Sequence, residues 1–204
     1  MTQNKTDNFD QHYADQQIKR SQSGFRRVIK YFYLKNILQY VDGPTIDFGC
    51  GAGQLLAKLP PKSLGLELNE YLIKSLRSQG LEVQQYIPEE DRYQLIGIAE
   101  DVYKTLVLSH VLEHFKNPEE MLGELLPSLR RLGVNKIIIC VPGLIGYQSD
   151  STHKTFIDLK FMQKLSVFSA NGFQLKKHAY FPINSAIAGN YFIYNELNLI
   201  YESI

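Results

Sequence analysis

The sequence predicts a doubly wound α/β fold. Strand-like and helix-like segments alternate from residue 44 onward with short connections, the pattern of a largely parallel sheet covered on both faces. The run at 136–141, Lys-Ile-Ile-Ile-Cys-Val, is almost wholly apolar, as a strand buried on both sides must be. Right-handed crossovers leave few topologies for such a chain. Ligands of these sheets bind outside the carboxyl ends of the strands, near the point where strand order reverses. The size agrees, since 204 residues with 44% apolar and 21% charged side chains suit one domain with a real core and exclude collagen-like and disordered classes.

Element by element, apolar residues at Phe25, Val28, Ile29, Phe32, Tyr33, Ile37 and Leu38 fall three or four apart and predict a helix over 24–40, stopped by Asp42-Gly43-Pro44. A strand follows at 45–49, then a glycine turn, then a helix-like run at 54–59 ended by Pro60-Pro61. Strand, helix and strand signals recur at 63–67, 70–79 and 81–87, with Gly80 as the helix stop. Residues 88–98 read as weakly helical and acidic, and 104–109 as a fourth strand. Asn117-Pro118-Glu119-Glu120 supplies an N-cap, a proline at the first helical position and a glutamate at the third, which starts a helix to about residue 131 with a kink expected at Pro127. After the strand at 136–141 come a helix over 158–171 and two aromatic, β-rich runs, 173–181 and 191–201, which form an antiparallel pair.

Charge and cysteine content narrow the function. Lys and Arg outnumber Asp and Glu by 22 to 21, so the overall field makes no case for a nucleic-acid partner. A local basic stretch, Lys19, Arg20, Arg26, Arg27, Lys30 and Lys35, reads as a solvated helix face or as an attractor for an anionic substrate. Cys50 and Cys140 alone exclude a disulfide framework and a four-cysteine zinc site, and fit the cytoplasm. Residues 1–17 are polar and lack the apolar segment of a signal peptide, and no run reaches membrane-spanning length.

The most informative segment is Thr45-Ile-Asp-Phe-Gly-Cys-Gly-Ala-Gly-Gln54. Gly49, Gly51 and Gly53 permit positive φ and close ligand approach, and a helix N-terminus behind them would favour an anionic group. Eighteen residues past Gly49, Glu67 closes the second strand, where a carboxylate accepts hydrogen bonds from a ribose diol. A nucleoside-bearing cofactor follows. The dinucleotide fingerprint GxGxxG or GxGxxA would place a small residue where Gln54 stands, which disfavours a dinucleotide-dependent reductase. The GxGxG spacing, with Asp47 two residues ahead of it and Glu67 beyond, resembles the class I S-adenosyl-L-methionine (SAM) dependent methyltransferases. Val107-Leu-Ser-His-Val-Leu-Glu-His114 before Asn117-Pro118 looks like the strand-four segment of that family, and Asp150-Ser-Thr-His153 before Phe156 is similar to a subset acting on glycans and small molecules.

The resemblance implies a seven-stranded, mostly parallel sheet with an antiparallel last strand, in which residues 44–204 form the SAM-binding domain and 1–43 an N-terminal helical segment that could act as a lid through Tyr13, Tyr31 and Tyr33. It implies SAM contacts at Asp47, Gly49, Cys50, Gly51, Gly53, Glu67, Leu68 and Ser109. The residue meeting the adenine is open among Gln85, Tyr86 and Glu89, because the usual acid after strand three is missing. It further implies methyl transfer to oxygen or nitrogen of a small-molecule or carbohydrate-linked acceptor, with a non-catalytic SAM-binding scaffold as the alternative. Histidine is the favoured base near neutral pH. His110, after the fourth strand, and His153, in the loop before residues 158–171, are the catalytic candidates. His114 and Glu113 read as structural partners, and His12 and His178 as surface positions. Cys50 reads as an inert turn residue. No cluster has metal-ligand spacing along the chain, so a metal is not expected. The aromatics Tyr180, Phe181, Tyr191, Phe192 and Tyr194 read as core or interface, and no oligomeric state is assigned.

Overall fold

The computed structural model describes residues 24–204. Tyr13, His12, Lys19 and Arg20 lie outside the described residues. One seven-stranded sheet runs in the order β3-β2-β1-β4-β5-β7-β6. The strands are β1 (Thr45–Phe48), β2 (Leu64–Glu67), β3 (Val83–Gln85), β4 (Thr105–Ser109), β5 (Lys136–Pro142), β6 (Phe173–Phe181) and β7 (Glu196–Ser203). The first five are parallel. β7 runs antiparallel to both β5 and β6, so the expected antiparallel pairing is present, but its second strand begins at Glu196 and not at residue 191, and β7 is inserted between β5 and β6. Strand order reverses between β1 and β4, the switch point at which such sheets bind ligands.

Side chains alternate across β4 and β5, and this divides the core into two layers. Leu106, Leu108, Ile137 and Ile139 face one side, against Leu122, Leu125, Leu126 and Leu129 of α4 (Pro118–Arg131). Val107, Ile138 and Cys140 face the other, against Leu34 and Ile37 of α1 (Gly24–Leu38) and Leu55. The N-terminal helix therefore packs on the face of the central strands. The remaining helices are α2 (Glu70–Ser78), α3 (Pro88–Asp91), α5 (Leu144–Gln148), α6 (Leu159–Lys164) and α7 (Val167–Ala170).

Several local expectations are corrected. The run after the glycine turn forms only a three-residue 3-10 helix, Leu56–Lys58, because Pro60-Pro61 stops it before a full α-turn can propagate. The glycine turn thus has no α-helix dipole behind it. The acidic stretch after β3 is helical only to Asp91; its carboxylate accepts from Leu95 N–H and Ile96 N–H, both at 2.7 Å, and folds the chain into a turn. The helix expected over 158–171 is split at Leu165 and Ser166 into α6 and α7. α4 begins as read, with Asn117 Oδ1 accepting from Glu120 N–H, and it continues through Pro127.

Gly53 shows why the turn needs a residue without a Cβ. It has φ +69°, and a Cβ there would run into Leu76 Cδ2 of α2. Gly53→Ala is expected to destabilise the fold by about 1–3 kcal/mol, combining left-handed backbone with overpacking. Thermal unfolding checks it as a Tm several degrees below wild type.

Candidate active site

The parallel register brings the carboxyl ends of three strands level, since Phe48 pairs with Leu66 on one side and Leu108 on the other. The turn leaving β1 is anchored to β2, where Leu66 carbonyl accepts from Gly49 N–H (2.8 Å) and Cys50 N–H (3.1 Å). Gly51 stands at φ +54° with open space where a side chain would be, so a ligand can lie against its backbone. Glu67 is 8% exposed and locks the neighbouring backbone: Oε2 accepts from Gly51 N–H (2.8 Å), and Oε1 from Leu68 N–H (3.0 Å) and Asn69 N–H (2.9 Å). Three bonds leave part of a carboxylate's four-site accepting capacity free. Burial raises the pKa of Glu67, and the three N–H groups work against that rise.

Asp47 is 3% exposed, and its Oδ2 has no hydrogen-bond partner. Burial pushes its carboxyl up to about 7, partly offset by the Lys30 ammonium on α1. Leu56 N–H reaches this carboxylate, but a buried carboxylate oxygen left unpaired beside a glycine turn is costly unless a cationic or hydrogen-bonding ligand meets it. These features fit the methionine and ribose ends of SAM. Cys50 joins the turn through its backbone only. Its Sγ packs within 2.8 Å of where a side chain on Gly65 would begin, and burial holds the thiol far above its ordinary range, so it is inert. Of the adenine candidates, Tyr86 is committed to the core, its ring 4.9 Å from Phe48 and its hydroxyl accepting from Tyr93 N–H (2.8 Å). Gln85 and Glu89 stay exposed.

Beyond Ser109, the chain turns through His110 at φ +57°, a strained geometry for a residue with a side chain. Its half-exposed imidazole is held between two buried acids, with Nε2 3.0 Å from Glu196 Oε2 and Nδ1 3.3 Å from Glu113 Oε1. Burial alone would lower its pKa, but the two carboxylates overcome this and push it up to about 10. Both carboxylates favour the protonated imidazole, which argues against the general-base role expected of His110. Because this pKa is raised above the ordinary 6.5, the contribution of the pair to stability is complete below pH 6.5 and is lost as pH rises through about 10. The Tm deficit of Glu196→Gln is expected to follow the same course, largest near pH 6.5 and fading toward pH 10.

His153 is 8% exposed at its side chain, with Nδ1 2.7 Å from Tyr147 carbonyl and Nε2 3.8 Å from Glu113 Oε1; its ring stacks on Tyr147 and meets His114 edge-on at 4.8 Å. The loop is tied down by Glu113 carbonyl, which accepts from Lys154 N–H (2.7 Å) and Thr155 N–H (3.1 Å). Burial lowers the pKa of His114. Sequence reasoning missed Glu196, because the acid at the start of β7 reaches the site only through the antiparallel insertion. Glu113, read as a structural partner, has its side chain buried at the centre of three imidazoles.

Asp47, Glu67, Glu113 and Glu196 are all buried at this end of the sheet. Buried acids in such number mark a functional site more than a packing solution. The comparisons with known proteins agree. A family model described as a methyltransferase domain matches residues 19–174. The chain belongs to that family, the class I SAM-dependent methyltransferases. Solved structures share the fold. A SAM-dependent methyltransferase from Archaeoglobus fulgidus aligns over 95% of this chain and 100% of its own, at 18% identity and TM-score 0.67. Magnesium protoporphyrin IX methyltransferase from Synechocystis PCC 6803, with bound SAH, aligns over 97% of both chains at 13% identity and TM-score 0.69. A SAM-dependent methyltransferase of Thermotoga maritima, a possible histamine N-methyltransferase, covers 94% of this chain and 96% of its own at 13% identity and TM-score 0.61. No curated protein matches the chain.

Proposed function

We propose that this methyltransferase transfers the methyl group of SAM to an oxygen or nitrogen of a small-molecule or carbohydrate-linked acceptor, at the crevice between the glycine turn and His110. The observation that carries it is the cluster of buried acids, divided between a cofactor side, Asp47 and Glu67, and an acceptor side, Glu113 and Glu196 around His110. SAM supplies an electrophilic methyl on a positively charged sulfur. Glu67 and the backbone at Gly49, Gly51, Gly53, Leu68 and Ser109 hold its ribose and methionine portions. Asp47 meets the methionine ammonium, and Lys30 of α1 acts electrostatically on both Asp47 and Glu196.

The N-terminal helix would then serve as a partial lid. Tyr33, whose buried hydroxyl has no partner and whose ring meets Phe181 at 5.2 Å, is its inner contact, while Tyr31 is exposed. Positioning the acceptor in line with the methyl group can itself supply roughly 7–11 kcal/mol of the barrier. His110, favoured in its protonated form at the mouth, orients an electron-rich acceptor atom, and His153 acts from the acceptor side. No helix among the described residues is long and apolar enough to cross a membrane. A small soluble acceptor in the cytoplasm fits the two free, buried cysteines.

His153→Ala is expected to lower kcat by about 10² to 10⁴ while leaving SAM affinity within a few-fold of wild type. Turnover with a panel of hydroxyl and amine acceptors, beside calorimetric SAM titration, checks it. Methyl transfer to none of them with intact SAM binding would favour the non-catalytic scaffold.

A further inference from the structure

We propose that Glu113, His114 and His153 form a binding site for one divalent transition-metal ion of the zinc type, on the acceptor side of the crevice. One ligand atom from each residue lies within 4.8 Å of the other two. Two imidazoles and a carboxylate, with one position left open, are a known donor set for a catalytic zinc ion. The hydrogen bonds around the two imidazoles leave each with a lone pair on one ring nitrogen. His153 Nδ1–H donates to Tyr147 carbonyl at 2.7 Å, which leaves the lone pair on Nε2, the nitrogen that faces Glu113. His114 Nδ1 lies 3.2 Å from Thr152 Oγ1, whose own proton goes to Asp150 Oδ1 at 2.6 Å. The hydroxyl must therefore accept from Nδ1–H, and His114 keeps its lone pair on Nε2. Outer hydrogen bonds to a backbone carbonyl and to a carboxylate-backed hydroxyl are what fix the tautomer of metal-ligating histidines.

Glu113 is the independent observation. Its side chain is 1% exposed, and neither carboxylate oxygen has a hydrogen-bond partner, although His110 Nδ1 is 3.3 Å from one of them. Oε1 lies between the His110 imidazolium and His153 Nε2, 3.8 Å away, and Oε2 meets no partner, so the buried carboxylate keeps accepting capacity that a metal cation would fill. Bonds of 2.0–2.2 Å to an ion would require the three groups to draw in by roughly 1 Å, within reach of side-chain rotation. The backbone would not have to move, since Glu113 carbonyl already holds Lys154 and Thr155 beside it. In its open position the ion would take an oxygen of the acceptor and lower the pKa of that oxygen, the proton leaving to water. This role rests on the proposed methyl transfer to oxygen; the ion site itself does not.

The test titrates chelator-stripped full-length protein with Co²⁺ and reads the visible d–d absorption, followed by displacement with Zn²⁺. The expected result is a single site with a tetrahedral spectrum, saturating at one equivalent and abolished by Zn²⁺. His114→Ala and His153→Ala should each weaken binding at least about tenfold. No d–d band, or a band retained in the double variant, would overturn the site. If a variant does not fold, the wild-type titration still decides. SAM titration in the presence of chelator separates the two proposals, because lost SAM binding would count against the methyltransferase crevice and leave the cobalt result untouched.

Discussion

Glu67→Ala is expected to weaken SAM binding by one to two orders of magnitude. A hydrogen bond to an ionised carboxylate is worth about 1.5–3 kcal/mol, and with three of its four accepting sites taken by backbone N–H groups Glu67 has one left for a ribose hydroxyl. The same carboxylate positions Gly51, Leu68 and Asn69 N–H groups, so its removal also loosens the turn against which the cofactor lies. Asn69 keeps its own capping role, with Oδ1 accepting from Tyr71 N–H and Leu72 N–H, and the fold should survive. Calorimetric titration of SAM, with circular dichroism to confirm folding, measures the loss. A folded variant that binds as tightly as wild type would remove Glu67 from the site.

Asp47→Asn is expected to act in opposite directions on stability and on binding. The folded carboxyl has its pKa raised from 3.8 to about 7, chiefly by burial. Below pH 3.8 it is protonated in both states and costs nothing. As pH rises, the unfolded chain ionises first, so the free protein loses stability until about pH 7, and the penalty persists above that. At 1.36 kcal/mol per pH unit the full interval corresponds to ~4 kcal/mol, and Asn should recover a substantial part of it. Without SAM, the Tm of the variant should exceed that of wild type at pH 8 and converge with it near pH 4. SAM affinity should fall, because the methionine ammonium loses the charge that offsets its desolvation. An unchanged Tm at pH 8 would show that Asp47 carries no burial penalty.

Much of the cofactor side was legible in the sequence because it is local. The GxGxG turn, Asp47 and Glu67 lie within one β-α-β passage, and residue spacing fixes their relation once the strands are parallel. Even there, the proline pair at 60–61 cut the expected helix to a single 3-10 turn. The acceptor side is assembled by tertiary structure. Glu196 arrives on a strand inserted antiparallel between β5 and β6, and His153 arrives on a loop pinned to the Glu113 carbonyl. No spacing rule joins residues 113 and 114 to 153 or 196. For the same reason His110 read as a base, whereas Glu196, which with the neighbouring Glu113 favours its protonated form, comes beside it only in the folded chain.

The most direct measurement of the central claim is a crystal structure of the protein grown with SAH. Ligand density should lie along the backbone of residues 49–53, with the ribose hydroxyls against Glu67 and the thioether sulfur facing His110. A crevice closed by protein side chains under saturating ligand, or SAH seated away from the β1–β4 switch point, would contradict it.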